Sequence, residues 1–143
     1  MKSSLNLLLT LFLISLLPNN SIAMWAGMSD AELIEQSDLI VKATYIGSST
    51  VILNKEKLHL GVLNIEDTLK GDKQDVVFIR LSLRPKNFPQ RSDEINFKAG
   101  QKGLWFIEKD AQRDGVYEIK HPQRFLPEQQ FKSRLPALFK LLD

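Results

Sequence analysis

Apolar residues fall at alternate positions through Leu39, Val41, Ala43 and Tyr45, the period of a strand with one face in a core. Gly47-Ser48-Ser49 is expected to end that strand. A second strand is predicted over Leu58–Leu69, with Gly61 marking a bulge or bend, and the polar stretch around Asn54-Lys55 makes the two a hairpin. After the turn Lys70-Gly71-Asp72-Lys73, the run Val76–Leu83 alternates again, with Val77, Ile79, Leu81 and Leu83 opposite Phe78, Arg80 and Ser82. Gly100-Gln101-Lys102-Gly103 leads into a fourth strand at Leu104–Ile107, and Asp114-Gly115 turns the chain into a fifth at Val116–Ile119. Two helices flank these strands. Ser29 and Glu32 form an S-x-x-E capping box with Met28 placed to staple onto Leu33. Beyond Pro122 the pattern changes to helical spacing through Phe131, Leu135, Leu138 and Leu142, where Pro136 must either kink one helix or begin a second. Five strands with flanking helices, without repeats or linkers, predict a mainly β domain: a five-stranded OB-like antiparallel barrel with a short N-terminal helix and a C-terminal amphipathic helix.

The first residues follow another pattern. Lys2 precedes an almost wholly apolar run, Leu5–Leu17, which is shorter than the ~20 residues a membrane-spanning helix needs. Pro18-Asn19-Asn20 and the small residues Ser21 and Ala23 follow, the order of a secretory signal peptide over residues 1–23. Cleavage is expected after Ala23 or, by the Ala23-x-x-Ala26 spacing, after Ala26, so that residues 24–143 form a single exported domain with no membrane anchor. A chain of that length buries enough surface for its own core. It must do so without disulfides, since the 143 residues contain no cysteine. Export with no cysteine points to a periplasm.

Charge narrows the partners. The 19 basic residues stand against 17 acidic ones, and the leader takes one of the basic ones, leaving the mature domain near neutrality. Such balance argues against nucleic acid as a partner, which draws a strongly basic face.

Three segments occur in the order Ser37–Ala43, Ile65–Gly71 and Phe97–Ile107. Over roughly Ser37–Lys120 this order resembles exported bacterial proteins of the netrin-module and metalloproteinase-inhibitor type, which have an OB-fold. The resemblance implies the scaffold. It does not extend to zinc-gripping inhibition, which in that group uses an N-terminal cysteine; here the mature chain would start at Met24 or Gly27. Gly71 and Gly100 are read as turn glycines.

No residue set has the spacing of a catalytic or metal site. His59 and His121 lie far apart without ligand-like neighbours, no serine sits in G-x-S-x-G, and adjacent pairs such as Glu66-Asp67 and Asp93-Glu94 point to opposite faces of a strand. No catalytic residue, cofactor or metal is therefore expected. Trp105 and Tyr117 are of the type that stacks on single strands, but Trp105 is expected to pack beneath the C-terminal helix. The remaining candidate is a partner-binding surface of Arg80, Arg84, Lys86, Phe88 and Arg91 around a Pro-rich loop, since arginines and exposed aromatics dominate protein interfaces. The expected function is a non-enzymatic binding or accessory domain, a monomer that contacts an envelope protein. The alternative is a hydrolase of an envelope polymer using scattered carboxylates such as Glu66, Asp93 or Glu108.

Overall fold

The structure is a computed structural model that describes residues 27–82 and 95–142. The leader and the Arg84–Arg91 segment lie outside the described residues. The chain runs α1 (Asp30–Glu35), β1 (Leu39–Leu53), β2 (Glu56–Lys70), β3 (Val76–Leu81), β4 (Lys102–Lys109), β5 (Val116–Glu118), a 3-10 turn (Pro122–Arg124), β6 (Phe125–Pro127) and α2 (Glu128–Leu142).

The strands form one mixed sheet in the order β1-β2-β3-β5-β4-β6, and β1 also pairs with β4. That extra pairing closes β1, β2, β3, β5 and β4 into a ring, with β6 attached to β4 outside it. The expected all-antiparallel arrangement of five strands is therefore corrected twice. A sixth short strand is present, and β3 runs parallel to β5 through Phe78↔Val116 and Arg80↔Glu118.

Closure bends β1 and β2, and three register shifts accommodate the bend. Two place one extra residue on β2, at Leu69 and Glu66, and one places an extra residue on β1, at Ile46. Bulges of this kind increase twist and curl a sheet onto itself. None of the three bulges is at Gly61, where one was expected. Gly61 serves close packing instead: an added Cβ would lie 2.8 Å from Tyr45 Cε2 and 2.9 Å from Ile79 Cγ1. Gly47-Ser48-Ser49 does not end β1, because the Ile46 bulge absorbs the irregularity and pairing with β2 continues to Leu53↔Glu56. The reversal itself uses two residues, Asn54 and Lys55, at φ 51° and 67°, the twist that suits a tight hairpin.

Alternation along each strand sorts the core into two compartments. Inside the ring lie Leu39, Val41, Ala43 and Tyr45 of β1, Leu63 of β2, Val77 and Ile79 of β3, Trp105 and Ile107 of β4, and Tyr117 of β5. Outside β1 and β4, Ile40, Leu104 and Phe106 pack with Leu126 and with Leu33 and Ile34 of α1 and Phe131 and Leu138 of α2. Both faces of β4 are thus buried, which explains its unbroken apolar run. Trp105 belongs to the inner compartment and not under α2 as expected; odd-numbered residues of β4 point inward, and its Nε1–H donates to the Ala43 carbonyl at 3.0 Å.

Both helices carry the residues the pattern assigned. Ser29 Oγ accepts from the Glu32 N–H while the Glu32 carboxylate accepts from the Ser29 N–H, a complete capping box. Met28, Leu135 and Leu142 complete the outer compartment. Of the two alternatives at Pro136, a second helix does not begin there: Glu128–Leu142 is one helix with the proline inside it. Proline removes one backbone donor, and here both Pro136 and Lys132, whose carbonyl loses it, face solvent, where water can take its place.

Candidate binding groove

A groove of about 740 Å³ opens at one end of the ring. One wall is the β1–β2 hairpin, through Ser48 and Glu56–His59; another is the end of β3, Arg80–Ser82; Ile95–Phe97 and Glu118–Lys120 complete it. Its lining is mostly polar, with Tyr45 and Phe97 among the apolar side chains. Tyr45 and Phe97 have ring centroids 5.5 Å apart, and behind them Phe97 meets Trp105 at 4.7 Å and Trp105 meets Phe125 at 4.3 Å. Tilted aromatic contacts at these separations are favourable beyond simple burial. They give the groove a rigid base under a polar mouth.

The mouth is ordered by a chain of ion pairs that crosses three strands. Arg80 reaches Asp110 at 3.1 Å and Glu118 at 2.6 Å; Lys120 reaches Glu118 at 3.0 Å and Glu108 at 3.2 Å. Arg113 pairs with Glu56 and so ties the hairpin to the β4–β5 turn. Asp110 holds that turn together by accepting from the Gln112 N–H at 2.8 Å. Strand period explains the convergence: Glu118 and Lys120 are two apart and emerge on one face, as do Glu108 and Asp110. The acids beside Lys120 raise its ammonium above the usual lysine range, chiefly through the Glu118 hydrogen bond and then that to Glu108.

Of the five residues expected to bind a partner, Arg80 lines the groove and is already engaged by two carboxylates. Arg84, Lys86, Phe88 and Arg91 lie outside the described residues, as does Asp93. The groove-lining residues Ser82 and Ile95 are the last described residue before that segment and the first after it.

Of the carboxylates suggested for an enzyme, Glu66 and Glu108 are described, and each is held by its own set of cations. Glu66, turned outward by its bulge, bonds Lys42 at 3.1 Å, Lys102 at 3.2 Å and Thr44 at 3.0 Å. Those donors hold its pKa down to about 2, with the Lys42 hydrogen bond the largest cause. Glu108 pairs with Lys120 and Arg124. Neither lines the groove. His59 contacts Thr50 Oγ1 through Nδ1 at 3.1 Å, and His121 Nδ1 accepts from the Gln123 N–H at 3.2 Å, so each histidine bonds within its own neighbourhood. Among the described residues no three His, Cys, Asp or Glu are grouped as metal ligands, and no helix is long and apolar enough to cross a membrane. Tyr117, suggested for base stacking, is an inner-core residue whose hydroxyl accepts from Gln74 Nε2 at 2.9 Å.

Two features were not anticipated from sequence. One is the groove itself, assembled from four separate segments. The other is Arg124, which is 1% exposed and donates to Gln36 Oε1 at 3.1 Å, Ser37 Oγ at 3.3 Å and the Phe106 carbonyl at 3.4 Å, besides pairing with Glu108. It fastens the 3-10 turn to the end of α1 and to β4. No known protein family matches the chain, and neither does any curated protein.

Proposed function

We propose that this chain is exported, loses its leader after Ala23 or Ala26, and acts in the periplasm as a non-enzymatic binding domain that holds another envelope protein. The scaffold is read as OB-like: a five-strand ring in which β1 pairs with both β2 and β4 supports that reading, as does the resemblance to netrin-type and inhibitor-type modules. The recognition surface comprises the groove together with the Arg84, Lys86, Phe88 and Arg91 segment.

One observation carries the proposal. Ser82 and Ile95, the described residues on either side of that basic and aromatic segment, both line the groove. A groove with aromatic side chains in a mostly polar, charged lining suits protein docking, where an anchor in the groove supplies affinity and charges around it supply selectivity.

The test is the triple charge reversal Arg84→Glu, Lys86→Glu and Arg91→Glu. Capture of the envelope partner is expected to be lost while the melting temperature stays unchanged. Undiminished capture by the triple variant would show that this surface does not bind the partner.

A further inference from the structure

β1 outruns its neighbour. It pairs with β4 only from Leu39 to Thr44, and one more pair of backbone bonds joins Tyr45 to Gln101 and Gly100. Ile46 is the bulged residue, and from Gly47 to Leu53 the strand pairs with β2 alone. A strand bonded on one side turns alternate N–H and C=O groups outward, and such a row is a template for another strand. Among the described residues nothing occupies it.

Edges in stable proteins are usually blunted by lysine, proline or shortness. This one has none of these; its one such device is the bulge at Ile46, where the edge begins. Ile46–Leu53 reads Ile-Gly-Ser-Ser-Thr-Val-Ile-Leu, and the nearest charges along the chain are Lys42 and Lys55. Ile46, Ile52 and Leu53 are 54%, 74% and 55% exposed.

We propose that this edge pairs antiparallel with the same edge of a second copy, giving a two-fold dimer with β1 continuous across the axis. The proposal does not use the docking reading of the groove, though Ser48 belongs to both surfaces, and it replaces the monomer expected from sequence. A second copy is the occupant the chemistry favours, because an uncharged edge gives a charged peptide nothing to recognise. Two identical neutral strands, by contrast, meet with no like charges opposed, and one two-fold contact closes the assembly. With the axis at Thr50, Ser48 faces the partner subunit's Ile52, Ser49 faces the partner subunit's Val51 and Gly47 faces the partner subunit's Leu53, since opposed residues of an antiparallel pair share a face. The apolar residues Val51, Ile52 and Leu53 are then covered or flanked. Eight residues span about 26 Å of strand, and a contact one strand wide over that length is smaller than the standard interface of ~800 Å² per partner. The dimer is therefore weak, with a dissociation constant on the order of 100 µM.

Sedimentation of the protein purified from expression of the full chain, from about 5 µM to 1 mM, tests this together with amide exchange at both extremes. The mass is expected to rise towards twice the monomer. Exchange at amides of Ile46–Leu53 is expected to slow several-fold with concentration, while β2–β3 amides stay unchanged. Ser49→Lys, which places two ammonium groups beside the axis, and Ile52→Lys should each weaken association at least tenfold. A monomeric mass with concentration-independent exchange throughout would overturn the proposal. So would dimers that survive both lysine variants, or protection of this edge only when a different protein is added.

Discussion

Removing Glu108 should cost more stability than removing Arg124, although the two form one ion pair. Arg124 is almost wholly buried, while the Glu108 side chain keeps 22% of its surface in water and also holds Lys120. Glu108→Ala leaves a guanidinium with only neutral acceptors, and the closest of these is Gln36 Oε1 at 3.1 Å. Stranding one member of a buried pair costs about 3–5 kcal/mol; the solvent opening at Glu108 places this case near ~3 kcal/mol. Arg124→Met removes the cation and fills much of its volume with apolar chain. It leaves Glu108 hydrated and paired with Lys120, at about 1 kcal/mol. The double variant should then resemble Arg124→Met alone, a coupling of roughly 2–3 kcal/mol. Urea unfolding of all four proteins measures these terms, and at this domain size a 2 kcal/mol gap corresponds to about 10 °C in Tm. If Arg124→Met proves as damaging as Glu108→Ala, or the two losses simply add, the argument from desolvation of the arginine is wrong.

Two further outcomes follow from packing and titration. Gly103 lies between β1 and β6, and an added Cβ would run into the Leu126 carbonyl oxygen and the Phe125 ring. Because one obstacle is backbone, Gly103→Ala should cost about 2–3 kcal/mol by urea unfolding, and a change within 0.5 kcal/mol of zero would contradict the close approach. Glu66 has a folded pKa depressed to about 2 from an ordinary 4.5, so its stabilising contribution is present above 4.5 and is lost as pH falls towards 2. The wild type should exceed Glu66→Gln by under about 1 kcal/mol near neutrality, given how open the site is to water. That gap should close between pH 4.5 and 2; a gap independent of pH would refute the assignment.

The fold was legible wherever local pattern and tertiary role coincide. Leu39, Val41, Ala43 and Tyr45 alternate and all enter the ring, and Ser29 with Glu32 caps α1 through contacts within one turn. The direction of the pairing that closes the ring was not legible. The parallel β3–β5 pairing depends on how the ring shuts, and neither strand's composition encodes it. The length of β1 was misjudged because Gly47-Ser48-Ser49 has the composition of a turn, and only pairing with β2 across the Ile46 bulge keeps it extended. Trp105 could not be assigned a side from an unbroken apolar run, since both faces of β4 are covered. For the groove, strand period explains why charges emerge on one face, but their meeting depends on β3, β4 and β5 being neighbours. Arg124 gave no signal at all; a single arginine beside Phe125 and Leu126 reads like any surface cation.

The claim that this domain works by holding a protein at its groove is tested most directly by photo-crosslinking in the cell envelope. A photo-reactive residue placed at Lys57 or Asn96 reports from the groove, and one at Gln129 or Lys132 on exposed positions of α2 serves as the control. One discrete crosslinked envelope protein from both groove positions, absent from both helix positions and lost in the triple charge-reversed chain, is the predicted result. The same product from the helix positions, or none from the groove, would contradict it.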